Sequence, residues 1–494
     1  MIFWIALLIC STGIAGLFFL NRDNSVRNSR ALWLPVIWLW IIGSRPVSAW
    51  LGIGGGSGLA STLDGSPADA AFFALLMIAG ILVLFFRRDR TIALLKTSGP
   101  ILIFFFYCLI SVMWSPFPEP AFKRWTKAIG DLVMVLILMT DPQPIAALRR
   151  FFSRVGFVLL PASIFMIRYT ELGRNYTPDG VPENTGVTMN KNSLGLIVFL
   201  VSLAALWNVR ALLIDNGTPN RGRRLVAQVT LLTFGIVLLQ MAHSATAVAC
   251  FILGGAFMLI ATRRAIRTRP GRVYALSLVI VIAGGLGVLF GGGSAVSNAL
   301  GRGDGLSGRS YIWAASIAAA GNPIIGTGFE SFWNVNAYKV NQSLQAAGFV
   351  DLSNLVSAHN GYLEVYLDLG LVGVGLIVLV LITGYRRAGK AFRHAPEFGC
   401  LMLVYIVTAT FYSITEAGFR MLTGSWFFLL LAVVGSSGEL PRLFDGEALK
   451  TLASRGGIAV RKPSGIKVIP EKATAFTTRR GLLRFEVAHE HNIR

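Results

Sequence analysis

The chain has 494 residues, of which 54% are hydrophobic and 14% charged, and its mean hydropathy is +0.64. This composition excludes an ordinary soluble globular protein and indicates a protein with many membrane spans. A net charge of +21 would suggest a nucleic-acid partner for a soluble protein, but the basic residues lie between apolar runs, so no nucleic acid is expected.

A helix needs about 20 mostly apolar residues to cross a bilayer, and somewhat fewer where its ends are anchored. Runs of about this length recur along the chain. They predict an all-α polytopic membrane protein with 12 to 13 transmembrane helices, because the second run contains Arg45-Pro46 and the last is short. The predicted spans are Met1–Leu20, Ala31–Trp50, Ala70–Phe86, Gly99–Trp114, Ala128–Thr140, Phe151–Ile167, Leu194–Val209, Leu225–Met241, Ala245–Ala261, Val273–Phe290, Leu369–Gly384, Phe398–Ile414 and Ser425–Gly435.

Lys and Arg residues predict the orientation, because cytoplasmic loops carry an excess of them. With thirteen spans and an outside N-terminus, 34 of the 45 Lys and Arg residues fall on the cytoplasmic side. The expected location is the cytoplasmic (inner) membrane. Four parts follow: residues 1–290 with spans one to ten, an extracytoplasmic loop 291–368 containing short helices, residues 369–435 with three more spans, and a basic, mostly disordered cytoplasmic tail 436–494.

The long outer loop is the first candidate for a functional site, since long structured loops between membrane helices are often functional. Arg309 precedes a predicted amphipathic helix over Ser310–Ala320, where the helix dipole disfavours a cation unless it faces an anion. His359 lies just before a span, and imidazole suits a general base near neutral pH. A surface Arg and a helix-capping His are the plainer alternatives.

Polar residues continue into the following helix. Asn360, Glu364 and Asp368 are spaced i, i+4, so a helix places them on one face. Glu364 is expected to orient a partner or an acceptor sugar, because carboxylates this close to an apolar span must be paired or hydrated. Asp368 is expected to be a hydrated residue of the first turns.

Two further groups of outward cations precede this loop. One contains Arg168 and Lys191, and the other contains Lys123, Arg124 and Lys127. Together with Arg309 they are consistent either with an outward cavity that binds a diphosphate or with ordinary juxtamembrane charge. The sequence leaves both interpretations open.

Several of these motifs resemble the O-antigen ligase and polymerase superfamily. The similarity runs from about the fourth span to the thirteenth. The stretch from His359 to Glu364 is fairly specific in this context, whereas each other motif alone is weak. The residues that carry the resemblance are Trp114-Ser115-Pro116, Pro120, Arg124, Asn190-Lys191-Asn192, Gly195, Ser244, Thr246, Gly308-Arg309, Trp313, Gly326-Thr327-Gly328, His359-Asn360, Tyr362-Leu363-Glu364 and Gly370, and the first three resemble its exopolysaccharide-polymerase branch.

The resemblance implies a helical membrane glycosyltransferase of the C type. It would act outside the cytoplasmic membrane on glycans linked to undecaprenyl diphosphate, with no cofactor, metal or nucleotide sugar. His359, Arg309 and Glu364 would be catalytic, and Lys191, Arg168, Arg124, Asn360 and Tyr362 would bind the substrate. A chain-length regulator and a flippase are possible partners beside the lipid bilayer.

Polymerisation of lipid-linked repeat units into exopolysaccharide is the leading functional prediction. The nearest alternative is an O-antigen ligase that transfers the glycan to lipid A core or to protein. In ligases of the family an Arg commonly follows the Ser that corresponds to Ser244, but here Ala245 follows it. A flippase or transporter is the alternative of another class. Such proteins usually have ionisable groups near the middle of the membrane, and Asp131 is the acid well inside a span, expected to be hydrated at its outer end.

Overall fold

The computed structural model describes residues 1–23, 29–53, 65–176, 180–215, 217–263, 266, 271–277, 279, 307–348 and 355–437, and these are mostly helical. Residues 438–494 of the predicted tail and the loop residues 291–306 and 349–354 lie outside the described residues. In chain order the elements are α1 (Ile2–Leu20), α2 (Trp33–Ile42), α3 (Val47–Leu51), α4 (Pro67–Phe86), α5 (Arg88–Thr97), α6 (Gly99–Ser111), α7 (Pro118–Met139), α8 (Pro144–Tyr169), β1 (Arg174–Tyr176), β2 (Pro182–Asn184), α9 (Lys191–Ile214), α10 (Arg221–Ala242), α11 (Ala245–Ala261), α12 (Ser307–Ala318), α13 (Phe332–Ala346), α14 (Gly361–His394), α15 (Pro396–Thr415) and α16 (Gly424–Gly435), with short 3-10 turns at Arg30–Leu32, Val112–Trp114 and Glu171–Gly173.

Seven described helices are long and apolar enough to cross a membrane. The bent pair formed by α5 and the α6 region, with an angle of 86°, could add an eighth, and three shorter apolar helices accompany them. The predicted all-α polytopic membrane protein is thereby confirmed. The count of 12 to 13 spans stays a prediction, because the tenth predicted span is described only at residues 273–277 and 279.

Side-chain caps explain where several helices begin. The Ser66 hydroxyl accepts from the Asp69 N–H and the Asp69 carboxylate accepts from the Ser66 N–H, which is a capping box at the start of α4. The side-chain oxygen of Asn190 accepts from the Ser193 N–H at the start of α9, and that of Asn360 accepts from the Tyr362 and Leu363 N–H groups at the start of α14. Thr423 caps α16. Each cap satisfies backbone donors that a helix leaves unpaired at its first turn.

The two ends of the helical bundle differ in charge. One of them, here called the Arg-rich end, holds Arg87, Arg210, Arg224 and Arg387. Three of these pair with carboxylates, namely Asp141, Glu397 and Asp23, at 3.9, 3.0 and 2.9 Å, and Arg387 donates to the Thr97 carbonyl. The opposite end, where α8 and α15 finish and α9, α14 and α16 begin, is called the site end.

A break in α14 anchors the loop in front of it. Gly370 has φ +64° inside the helix, and a Cβ there would lie 2.2 Å from the Ile324 backbone. The freed N–H groups of the two residues after Gly370 donate to the carbonyls of Pro323 and Ile324 at 2.9 and 3.1 Å. Only glycine combines this conformation with this close approach. The segment before α13 is therefore fastened to the site end of α14.

Candidate functional site

Three segments that are far apart in sequence meet at the carboxylate of Glu416. Arg309 Nη2, from the start of α12, donates to Oε1 at 2.8 Å. His359 Nδ1, from the turn before α14, lies 3.1 Å from Oε2. Arg309 Nη1 also donates to the Thr415 carbonyl. A single carboxylate at the end of α15 thus joins two of the three residues that the sequence predicted to be catalytic, Arg309 and His359.

Glu416 is held as an anion in a nearly closed environment. Its side chain is 8% exposed. Burial raises the pKa of Glu416, but the hydrogen bond from His359, the charge of Arg309 and the hydrogen bond from Arg309 together outweigh that effect and lower the pKa below its ordinary value. Asn192 Nδ2 adds another donor to Oε1 at 3.0 Å. The carboxylate therefore stays ionised at neutral pH.

His359 is placed for proton transfer. Its φ of +51° is in the left-handed region, which non-glycine residues seldom adopt. With Glu416 on Nδ1, the ring donates its Nδ1 proton to the carboxylate and leaves a lone pair on Nε2. Within the described chain Nε2 has no hydrogen-bond partner, and the side chain is 36% exposed. A carboxylate that fixes the tautomer in this way is the usual means of orienting a histidine base.

Glu364 supports the His359 turn and does not contact the Arg309–Glu416–His359 cluster. Its carboxylate accepts from the Trp333 indole N–H at 2.9 Å, from the Ser357 hydroxyl at 2.9 Å and from the Ala358 N–H at 2.5 Å. These contacts tie α13 and the turn to α14. Glu364 was predicted to orient a partner or a sugar, and in the structure it orients the backbone immediately before His359.

The placements predicted for Arg124 and Asp368 need correction. Arg124 was expected to line an outward cavity, but it is 1% exposed, donates to the Glu330 carbonyl and faces the Asn334 side chain. Asp368 was expected to be hydrated, yet it is 8% exposed and accepts two backbone N–H groups at the start of α13, both at 2.9 Å. Both errors arise because a folded segment packs over residues that the sequence placed next to water.

A second ion pair beside the cluster is internal. Arg420 Nε lies 3.0 Å from Glu330 Oε2. Burial lowers the pKa of Arg420, but the charges of Glu330, Glu364 and Asp368 raise it more, so the net pKa is raised. This guanidinium therefore pairs with Glu330 and lies in the field of two further carboxylates inside the protein.

The remaining predicted residues lie at the site end. Lys191 pairs with Glu183 of β2. Arg168, the second-to-last residue of α8, is exposed. Asn360 caps α14, and the Tyr362 hydroxyl donates to the Thr410 carbonyl at 3.1 Å between α14 and α15. The neighbour of Lys191 in the chain, Asn192, reaches the cluster through its side-chain amide, which donates to Glu416.

The sequence prediction missed Glu416. The signal for it mirrors the one that identified Arg309: a carboxylate directly after the C-terminal residue of an apolar helix faces the negative end of the helix dipole, which disfavours it. A residue placed against the dipole implies a partner of opposite charge. For both Arg309 and Glu416 this signal predicts that a partner exists, but it does not identify the partner.

Comparison with known proteins agrees with the predicted resemblance. Residues 228–378, which contain Arg309, His359 and Glu364, match the family described as O-antigen ligase. Over 298 residues the chain is 25% identical to the exopolysaccharide production protein ExoQ of Rhizobium meliloti, a match that covers 58% of this chain and 64% of that protein. The chain thus spans less than two thirds of the relative's length.

Both matches confirm the resemblance to the O-antigen ligase and polymerase superfamily. The apolar helices described above agree with a multi-pass membrane protein. Glu416 lies beyond the matched family region of residues 228–378, so its place in the cluster is known from the structure alone.

Proposed function

We propose that this protein is an integral membrane glycosyltransferase that polymerises oligosaccharide repeat units linked to undecaprenyl diphosphate into exopolysaccharide. The reaction would take place at the outer face of the cytoplasmic membrane. The observation that carries the proposal is the convergence of Arg309 and His359 on Glu416. Similarity to an exopolysaccharide production protein supports the polymer as product.

His359 acts as the general base in this proposal. An acceptor hydroxyl loses its proton as its oxygen attacks the anomeric carbon of the donor sugar, and the Nε2 lone pair accepts that proton. Glu416 stabilises the imidazolium that forms, because its Oε2 remains on Nδ1. A positioned base typically contributes about 10²–10⁴-fold in rate.

Arg309 stabilises the leaving group. The bond from the anomeric carbon to the diphosphate oxygen breaks as the new glycosidic bond forms, so negative charge develops on the diphosphate. Two of the five guanidinium donors are used by Glu416 and the Thr415 carbonyl. The others and the exposed Arg168 are available to phosphate oxygens, for which a planar guanidinium is well suited.

A single reaction tests the proposal. Purified protein in detergent or nanodiscs is supplied with only the lipid-linked repeat unit, and the products are separated by chain length. A polymerase converts this one substrate into a ladder of longer lipid-linked chains. Absence of any longer chain until a second acceptor is added would overturn polymerisation.

A ligase is the second candidate, favoured by the description of the matched family. It would use the same base and the same cation but would transfer the glycan to lipid A core or to a protein. The two functions are separated by supplying each acceptor in turn. The His359→Ala variant serves as the control in both reactions, since either activity requires the base.

A further inference from the structure

A groove of about 760 Å³ lies between α14, α15 and the helical residues 271–277, and none of the three residues of the Arg309–Glu416–His359 cluster lines it. Its apolar walls include Leu381, Ile382, Ile406 and Val407. One of its ends is formed by Arg386, Lys390 and Arg393 of α14, close to the Arg-rich end of the bundle. The groove thus combines an apolar body with a strongly cationic end.

The three cations form one exposed stripe. Residues 382, 386, 390 and 393 are spaced i, i+4, i+8 and i+11, which is one face of a helix. All three cations are exposed, and among the described residues none of them makes an ion pair or a side-chain hydrogen bond. Their neighbour Arg387 points elsewhere and donates to the Thr97 carbonyl. Three exposed cations beside an apolar groove favour a ligand that combines an anionic group with an apolar chain.

Residues 271–277, which form another wall of the groove, pack closely against α14. The Tyr274 ring lies 5.5 Å from the Tyr385 ring, and a Cβ on Gly389 would lie 2.2 Å from the Tyr274 hydroxyl. Only a residue without a side chain lets residues 271–277 approach α14 this closely. One side of the groove is therefore closed by direct packing of Tyr274 on α14.

The dimensions fit one leaflet of a membrane. From Leu381 to Arg393 the helix rises about 18 Å at 1.5 Å per residue. A hydrocarbon core is about 30 Å thick, so one leaflet contributes about half of that. An acyl chain that starts at the three cations would thus run along the apolar walls toward the middle of the membrane.

We infer that this groove binds an anionic glycerophospholipid from the leaflet at the Arg-rich end. The phosphate and headgroup contact Arg386, Lys390 and Arg393, and an acyl chain occupies the space along Ile382 and Val407. Charge complementarity selects an anionic lipid over a zwitterionic one, since each cation near a membrane surface favours anionic lipid. This site is separate from the proposed glycosyltransferase site and does not depend on it.

Native mass spectrometry of the full chain tests the inference. The protein is released from nanodiscs that contain equimolar phosphatidylcholine and phosphatidylglycerol, and retained lipids are counted. We expect retention of phosphatidylglycerol but not of phosphatidylcholine. Combined substitution Arg386→Gln, Lys390→Gln and Arg393→Gln should weaken retention about a hundredfold. Ile382→Trp, which fills the apolar body while leaving the cations, should also abolish it.

The matched control removes the same charge elsewhere at the Arg-rich end. Arg88→Gln, Lys96→Gln and Arg263→Gln alter three exposed cations that do not line the groove, and retention should be unchanged. Equal loss in this control would mean general surface attraction and would overturn a defined site. Displacement of phosphatidylglycerol by equimolar undecaprenyl phosphate would also overturn the inferred occupant, because the groove would then prefer the carrier lipid.

Discussion

Replacing Glu416 by Gln tests the central feature of the proposed mechanism. Gln keeps the size of the side chain but has one acceptor oxygen where the carboxylate has two. The carboxylate now accepts from Arg309 at Oε1 and from His359 at Oε2. Gln can satisfy only one of them, so either the guanidinium or the imidazole loses its acceptor, and the imidazolium loses its stabilising charge.

The magnitude follows from the role of the base. If Glu416 acts by fixing the His359 tautomer, its loss can cost at most what the base contributes, about 10²–10⁴-fold in turnover. At 1.36 kcal/mol for each factor of ten, that is about 2.7–5.4 kcal/mol of transition-state stabilisation. The assay is chain extension from the lipid-linked repeat, normalised to the amount of folded protein in the membrane.

A double-mutant cycle distinguishes positioning from a merely structural role. The variants are Glu416→Gln, His359→Gln and the two combined. Residues that act as a unit are strongly non-additive, so the double variant should be no slower than His359→Gln alone. Glu397→Gln is the control, because that carboxylate pairs with Arg210 at the Arg-rich end and should leave turnover unchanged. Additive losses, or near-normal turnover of Glu416→Gln, would refute the proposed coupling.

Further predictions concern charge, stability, pH and topology. Arg309→Lys keeps the charge but loses the planar fork; we expect chain extension to fall strongly while membrane levels of the protein stay normal. Asp368→Ala leaves two buried backbone N–H groups without an acceptor and should cost roughly 2–5 kcal/mol of stability, measured by thermal melts in detergent. The pKa of Glu416 is lower in the folded protein than in the unfolded chain, so the ionised side chain stabilises the fold at pH values above the unfolded carboxyl pKa of about 4.3. This contribution to the free energy of unfolding is lost as the pH falls through the lower folded pKa. The difference in melting temperature between the wild type and Glu416→Gln should thus be the same at neutral and mildly acidic pH, and it should disappear only in strong acid. A reporter that is active only outside the membrane should be active when fused after Asn336 and silent when fused after Arg387; the reverse would place the cluster in the cytoplasm and end the mechanism.

Spans were the most predictable part of the chain. The predicted span Met1–Leu20 corresponds to α1, and Ala245–Ala261 has the bounds of α11. Apolar length is a local property, so no knowledge of the fold is needed to read it. The second predicted span was less regular because Arg45-Pro46 separates α2 from α3: proline cannot donate the backbone hydrogen bond that a continuous helix requires.

The carboxylates were the least predictable part. Glu416 is 107 residues from Arg309, and only the packing of α12 against the end of α15 makes them a pair. Asp131 was expected to be hydrated near a helix end, but it is buried and accepts from the Trp38 indole at 2.8 Å and from the Leu422 N–H at 3.0 Å. The sequence shows that a charge near an apolar run needs a partner, but the partner is selected by tertiary structure.

The predicted orientation of the site relative to the membrane combines one structural observation with one charge argument. Side-chain contacts alone sort the helices into two ends, since Phe3 lies against Phe165 at one end and Asp23 pairs with Arg224 at the other. The distribution of Lys and Arg can be read from the sequence alone. It assigns the residues after α4 and the residues at the start of α10 to the cytoplasmic side. Together they put Arg309, His359 and Glu416 at the end with fewer cations. If the Arg-rich end is cytoplasmic, the proposed base and the guanidinium face the opposite side of the membrane, where no nucleotide sugar is available. The donor sugar must then arrive already activated, and a lipid-linked diphosphate provides that activation.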